Sequence, residues 1–478
     1  MILTALWALP LAAALVTVFC GRAAKVAGAL AAAAVFALSL WPLFGSMGDL
    51  SALAYASAPS ILGVRYAVGV DGLSLPLIWL TAFLTVIVIV ASWRKEFPSA
   101  YFAAFLALES ALIGVFVARD LFFFYVFWEA CLVPMFFIIG LWGSSNRRHA
   151  AVKFFLFTFA GSIAMLLGFL ALVTLHHRAS GVWTWDMEAL RGTPMPRLAE
   201  LGIFLTMVAG FGVKVPIVPL HTWLPDAHTE APAAGSVMLA GVMLKMGVYG
   251  FLRIAFPTFS ELSWALLPWL GAIAAVNVTY GALCAMAQRD LKRLVAYSSV
   301  AHLGFCLLGI LSRTPEGLAG GSLQMINHGL TTGALFLLVG ILYDRAHTRG
   351  LGDFGGLAQR APWLTFFFGF SIFASIGLPG LNGFVGEFMS LAGMARALPA
   401  LAVAGVVGVT LAAAYALPAF SEVFWSQPGP GSKSDHVTDV DAIEAGVLWA
   451  LIVPMIVIGL HPQPLLALIS AGVKGLVL

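Results

Sequence analysis

Six ionisable side chains stand in the order carboxylate, lysine, lysine, histidine, histidine, carboxylate within otherwise apolar stretches of this 478-residue chain: Glu129, Lys214, Lys245, His302, His328 and Glu387. Glu109 and Lys153 share that setting. A charge at the centre of a membrane helix costs at least roughly 2.5–3.5 kcal/mol on insertion scales, so such groups face protein or internal water and usually pair. Glu129 lies in FYVFWEACLVPMF, among aromatics and ahead of Pro134, and nothing in that stretch neutralises it. Lys214, in GFGVKVP, is its expected partner. Lys245 lies in MLAGVMLKMGVYGF, where small residues allow close helix packing. A buried lysine can switch its charge and so carry a proton. Histidine titrates near neutral pH and suits a relay. A single buried histidine is more often structural, but two beside further charges favour transfer. Lys153 follows the basic run Arg147–His149 and fits an end-of-helix residue as well as a carrier. Breaking a Glu129–Lys214 pair would strip Lys214 of its counter-charge and release its proton toward Lys245. Glu387 could then pass the proton to the far side. Asp226 and His221, beside the first proline-rich break, are expected to cap and satisfy backbone instead.

Such residues need a frame that holds them away from lipid. The chain is 61% hydrophobic and 10% charged, whereas a soluble domain carries roughly 25% charged residues. Its apolar runs are continuous, which reads as spanning helices and not as the alternating pattern of a barrel. Spans are expected near 2–20, 27–45, 72–92, 99–118, 121–141, 150–174, 198–225, 231–255, 262–286, 291–311, 320–343, 363–391, 398–423 and 441–460, followed by an amphipathic tail from His461 to Leu478. The expected fold is therefore an all-α integral membrane protein of about fourteen transmembrane helices. The longest polar stretches, 46–71, 175–197 and 426–440, leave no room for a soluble domain. Odd-numbered loops hold 13 Lys and Arg residues and even-numbered loops 8. That bias puts odd loops in the cytoplasm and both termini on the opposite side.

Two spans are broken. One reads GFGVKVPIVPLHTWLPDAH and the other ASIGLPGLNGFVGEF. Proline removes a backbone donor and clashes with the preceding turn. A discontinuous helix at membrane depth survives only where protein or internal water satisfies the freed groups. Pro379 follows Pro216 by 163 residues, and the expected fourth and ninth spans share that offset. Two inverted five-helix repeats follow, each with a discontinuous helix, which is a transporter arrangement that points to the site. The expected division is 1–98 for three N-terminal helices, 99–261 for the first repeat, 262–425 for the second and 426–478 for the last helix and tail.

Other chemistries are poorly served. The formal charge of +3 gives no reason to expect nucleic acid as a partner. Cys20, Cys131, Cys284 and Cys306 share no metal-like spacing, so neither a cluster nor a structural zinc is expected. No GxGxxG or GxxxxGK motif suggests a nucleotide, and no cofactor is expected. The first apolar run has no basic residue before it and reads as a spanning helix, not a cleaved signal. Histidine and lysine suit protons and coordinate sodium poorly.

Residues 219–250, PLHTWLPDAHTEAPAAGSVMLAGVMLKMGVYG, resemble the antiporter-like M-subunit family of proton-translocating NADH:quinone oxidoreductase, respiratory complex I. GLPGLNGFVGEF (377–388), ARDLFFFYVFWEACLVPMF (118–136) and RDLKRLVAYSSVAHLG (289–304) agree, and the likeness runs along nearly the whole chain. It implies a fourteen-helix fold with two inverted repeats and a functional Glu129–Lys214 ion pair. It also implies a central Lys245, a hydrated axis through His302 and His328, and an exit at Glu387, where the L and N types carry lysine. The chain would work as a translocase subunit without its own redox site. Its partners would be L-type and N-type antiporter-like subunits in the multi-pass bacterial inner membrane. Pro418 in LAAAYALPAFSEVFW departs from the expected pattern and would interrupt the thirteenth span. The competing readings are a subunit of a multi-subunit cation/proton antiporter or membrane-bound hydrogenase, and a scaffold that only joins other subunits. The TWLPDAHTEAP block and Glu387 oppose the first, and the buried ionisable residues oppose the second.

Overall fold

The computed structural model describes residues 2–41, 54–60 and 62–474. It is almost wholly helical, and twelve of its helices are long and apolar enough to cross a membrane. Two further segments are interrupted. Helix Arg197–Lys214 stops at the lysine and resumes as Trp223–Glu230. Helix Pro362–Ser375 stops before GLPG and resumes as Asn382–Ala397. The cause is local: Pro216 and Pro219 offer no N–H, and Gly377 and Gly380 adopt positive φ of 75° and 94°.

Backbone groups freed by these breaks find partners on other helices. Asn277, fully buried, accepts from the Val218 N–H at 2.7 Å and donates to the Pro216 carbonyl at 3.3 Å. Trp223 donates its indole N–H to the Val213 carbonyl at 3.0 Å. At the second break Asn327 donates to the Asn382 carbonyl at 2.7 Å. This is the condition under which broken helices persist in a membrane.

Three helices form the interior. Ala233–Thr258 is buried along its whole apolar length, and Leu291–Leu311 and Pro315–Ala346 nearly so. By contrast Ile2–Phe19, Gly21–Ser39, Pro399–Phe424 and Ala442–Leu460 leave most of their surface exposed, as lipid-facing or partner-facing helices do. The Lys245 helix is not regular. Leu239–Met243 and Phe251–Ala255 are π-helical segments on either side of the lysine turn Lys245–Gly250. Such insertions concentrate at functional sites.

Several expected boundaries move. The fifth span is two consecutive helices, Leu121–Ala130 and Leu132–Trp142, that meet at Cys131 with helical dihedrals; Pro134 cannot donate to the Ala130 carbonyl. Pro418, by contrast, does not interrupt its span: Pro399–Phe424 runs through it unbroken. The second span begins earlier than expected, with Ala24–Ser39. Its expected end at 45 and the first part of the 46–71 stretch lie outside the described residues. The tail forms helix Gln463–Lys474 with Ile469 and Val473 buried; residues 475–478 are likewise outside. A Cβ on Gly72 would collide with the Leu468 carbonyl, so the tail packs on that glycine.

A small cap closes the face of the even-numbered loops. Tyr55–Ala56 pairs antiparallel with Ala67–Val68, and single bridges join Val68 to Ala118 and Asp120 to Asp186. Asp120 accepts from the Phe122 and Phe123 N–H groups and caps the fifth span. Burial raises its carboxyl above the usual range, against the hydrogen bonds from Arg65, Phe122 and Phe123 N–H. Ion pairs respect the two faces. Arg94–Asp441, Lys95–Asp344, Arg345–Glu444 and Arg349–Asp290 join segments at the odd-loop face. Arg65–Asp186, Arg119–Asp71 and Arg396–Glu316 join even-loop segments. The alternation read from loop charges is thus consistent with the contacts.

Candidate functional site

Lys245 is the head of a line of polar side chains through the interior. Its ammonium donates to the Ala240 carbonyl, which the π segment turns toward it, and lies 2.6 Å from His328 Nδ1. The rings of His328 and His302 are 5.7 Å apart between centroids. His302 Nδ1 is 3.0 Å from Glu387 Oε1, and its Nε2 is 3.1 Å from Ser375 Oγ. All four ionisable groups are buried. The line runs from the Lys245 helix through Pro315–Ala346 and Leu291–Leu311 to the second half of the second broken helix.

Hydrogen-bond chemistry fixes most of the proton positions. An ammonium only donates, so His328 Nδ1 accepts and Nε2 carries the hydrogen. That Nε2 has no hydrogen-bond partner among the described residues. A carboxylate only accepts, so His302 Nδ1 donates to Glu387, and its Nε2, when the ring is neutral, accepts from the Ser375 hydroxyl. Gln324 Nε2 also donates to Glu387 Oε1 at 3.1 Å, and its Oε1 receives Asn327 Nδ2 at 3.2 Å. A chain of amides therefore holds the carboxylate from the side. Gly386 leaves room for it, because a Cβ there would lie 2.3 Å from Gln324 Oε1.

The first broken helix is arranged differently. Lys214 Nζ is buried and has no hydrogen-bond partner among the described residues; it lies 5.3 Å from the Trp128 ring and 5.9 Å from the Phe154 ring. The pair expected between Glu129 and Lys214 is not formed. Glu129 is half-buried, one of its oxygens is buried with no hydrogen-bond partner among the described residues, and no ion pair joins it to Lys214 among them. Trp128, next to Glu129 in the sequence, covers the ammonium instead. Glu109 is fully buried on the neighbouring helix, and neither of its oxygens finds a partner among the described residues.

Lys153 and Asp226 also depart from expectation. They form an ion pair at 2.6 Å, to which Arg293 adds a contact of 3.5 Å. Asp226 thus ties the resumed half of the first broken helix to two other helices and makes no backbone cap. His221 sits edge-on to Tyr280, with ring centroids 5.2 Å apart, and its Nδ1 has no partner.

Four buried polar residues escape a reading of charges alone. Lys292 donates to the Ala231 carbonyl and holds the turn before the Lys245 helix. His228 is fully buried, stacks on Phe336 with centroids 4.5 Å apart and has no hydrogen bond on either ring nitrogen among the described residues. Asn277 is the latch on the first break, and Arg253 sits on the Lys245 helix itself. The lysine, histidine and arginine fall at expected span ends, where charge costs little and attracts no attention. Asn277 carried a signal: it is the sole amide in the apolar run Leu267–Met286.

Comparison with known proteins bears on this geometry. Residues 118–412 match the family model described as NADH:quinone oxidoreductase/Mrp antiporter, transmembrane region. The NADH-quinone oxidoreductase subunit M of Rhodobacter capsulatus is 42% identical over 431 residues, covering 87% of this chain and 83% of that protein. The subunit of the same name from Escherichia coli K12 is 40% identical over 414 residues, covering 84% and 81%. Among solved structures, a chain of respiratory complex I from Thermus thermophilus superposes with a TM-score of 0.89 at 34% identity, covering all of both chains. A chain of the Mrp complex from Dietzia superposes with a TM-score of 0.88 at 22% identity, covering 100% and 98%; at that identity the likeness is one of fold.

Proposed function

This chain belongs to the NADH:quinone oxidoreductase/Mrp antiporter transmembrane family, among its NADH-quinone oxidoreductase M subunits, and from that premise we propose that its protons travel along Lys245, His328, His302 and Glu387. It is a multi-pass subunit of the bacterial inner membrane with an antiporter-like, proton-translocating fold. The observation that carries the reading is the near-continuous line of donors and acceptors from Lys245 Nζ to Glu387 Oε1.

Each residue has a role that its contacts support. Lys245 gives a proton to His328 Nδ1 across 2.6 Å. The ring then holds two N–H groups and releases the one on Nε2. Water can bridge the gap to His302, since one bridging molecule replaces a direct hydrogen bond at small cost. His302 receives the proton on Nε2, where Ser375 now turns its hydroxyl to accept, and passes the Nδ1 proton to Glu387. Gln324 and Ser375 hold acceptor and ring in place.

Lys214 supplies Lys245 from the first half, with Glu129 as the group that modulates it. Because the two are apart in this structure, the working pair is one arm of a cycle and not its resting state. Glu109 offers a further buried carboxylate on this side. The chain is organised as 1–98, 99–261, 262–425 and 426–478, the two middle parts being inverted repeats of about 163 residues that each contribute a broken helix. Electron transfer belongs to sister subunits, and the exposed outer helices meet L-type and N-type antiporter-like neighbours.

The test is NADH-driven proton uptake by inverted membrane vesicles carrying His302→Ala or Glu387→Gln, with NADH oxidation read in the same vesicles. Loss of uptake in an assembled complex supports the path. Uptake and oxidation both at parental rates would remove it.

A further inference from the structure

Arg253 is the one charged residue on the Lys245 helix beyond the lysine toward the even-loop face, and it is 3% exposed. Lys245, Tyr249 and Arg253 follow at steps of four residues and share one side of the helix. Each step rises roughly 6 Å, so the three form a column toward that face. Tyr249, fully buried, places its hydroxyl 3.2 Å from the Phe116 carbonyl, to which it donates, and accepts from Arg253 Nε at 3.2 Å. The guanidinium also stacks over the Tyr249 ring at 5.4 Å.

Below Tyr249 the column ends in a saturated cluster. Arg253 donates to Asp71 Oδ2, and Arg119 reaches the same oxygen at 3.1 Å. Asp71 Oδ1 accepts from the Leu73 and Ser74 N–H groups, each at 3.0 Å. Burial would raise the Asp71 carboxyl, but the guanidinium groups of Arg253 and Arg119 hold it well below the usual range. Gly69 makes room for Arg119, since a Cβ there would lie 2.8 Å from its Nε. Two guanidinium groups against one carboxylate leave a net positive charge. Arginine does not release its proton in proteins, so it cannot relay one, and a fixed cation in a pore repels another.

We propose that the Arg253–Asp71–Arg119 cluster is an electrostatic seal beneath Lys245. It closes the direct route along the Lys245 helix to the even-loop face and leaves His328, beside the ammonium, as the outlet. Without it the central lysine would connect both faces through one column, and a proton gradient would run down through it. The seal rests on the reading that Lys245 carries protons. A mere tether between the helices would serve packing but would not control permeability.

The experiment uses the assembled complex in inverted vesicles. An imposed pH step is followed by a fluorescent pH probe with NADH absent, so that turnover plays no part. Arg253→Met removes the excess positive charge and leaves Asp71 paired with Arg119, so no buried charge is stranded. We expect its passive proton leak to rise several-fold, with NADH oxidation retained and fewer protons taken up per NADH. Arg253→Lys, which keeps the charge, should stay tight. An Arg253→Met variant as tight as the parent overturns the seal. If that variant fails to assemble, Arg119→Gln, at a side chain 22% exposed, removes the same excess charge and leaves Arg253 paired with Asp71; it should leak as well, and parental tightness there overturns the seal equally. Lys245→Ala separates the two readings. Unchanged NADH-driven uptake in that variant would sink the proton path, whatever the leak measurement gives.

Discussion

Lys245 Nζ lies 2.6 Å from His328 Nδ1, with both groups buried and on different helices. The ammonium is held on its other side by the Ala240 carbonyl, within the π-helical turn that precedes it. One residue thus faces a fixed acceptor behind and a proton-accepting ring ahead. Substituting His328 by alanine removes the acceptor and should lower NADH-driven proton uptake by roughly 10²-fold, the usual size of a lost acid–base group. His328→Gln keeps a hydrogen bond to Lys245 but cannot shuttle, so it should fail equally. Uptake by the glutamine variant at the parental rate would show that the ring only supports Lys245.

Glu387 tests the other end. Glu387→Gln keeps the size and offers an oxygen to His302 and Gln324, but it cannot take a proton. Uptake should fall about as far as in the His328 variants, while assembly and thermal stability stay near parental values. Glu387→Asp keeps the carboxyl and retreats by one methylene from His302 Nδ1, now at 3.0 Å; it should retain partial uptake. The order parent, aspartate, glutamine, measured in the same vesicles, is the expected outcome.

Asn277 separates structure from transport. Asn277→Ala leaves the Val218 N–H and the Pro216 carbonyl without their buried partner. An unsatisfied buried group costs about 1–3 kcal/mol, so the unfolding temperature of the purified complex should fall. Asn277→Asp restores the acceptor for Val218 N–H, the shorter of the two bonds at 2.7 Å, and should recover part of that loss. An alanine variant with unchanged melting would mean that water satisfies the break.

Much of the site was legible because charge is expensive in an apolar run. Lys214, Lys245, His302, His328 and Glu387 stand out by that cost alone, and all of them are buried. Relations between them were less legible. The Glu129–Lys214 pair follows from burial and opposite sign, but sequence gives no sign that the Trp128 ring takes the place beside the ammonium. Proline also misled in the other direction. Pro418 reads as a break, yet its helix stays continuous on a largely exposed outer face, where one lost backbone bond leaves no buried group stranded. Arg253 falls two residues before the end of the expected 231–255 span, where charge costs little, whereas π-helical turns carry the helix on to Thr258.

Acid stability should report on Asp71. Its carboxyl is depressed in the folded chain from an ordinary value of 3.8, so its contribution is present above that value and lost as pH falls through the lower folded value. Between pH 5 and 8 this group should add no slope, by the same linkage. Below about pH 4 the parent should lose stability that Asp71→Asn has already lost. Thermal unfolding of the purified complex against pH checks the sign. An acid limb of the same depth in the asparagine variant would assign it to other carboxylates.

Glu129 and Lys214 decide whether the first half of the path works by opening and closing a pair. They make no contact in this structure, and Lys214 Nζ sits over Trp128 instead. If this is the open arm of a cycle, Glu129→Ala should remove the closed arm and collapse NADH-driven uptake while the complex assembles. Lys214→Ala should do the same, and the double variant should be no worse than either, since groups acting as a unit are not additive. Uptake and NADH oxidation in Glu129→Ala vesicles, read together, are the measurement. If both persist, the carboxylate is structural, and proton supply to Lys245 does not pass through it. Multiplicative losses in the double variant would show that the two residues act in separate steps, and the pair would then have no place in the mechanism.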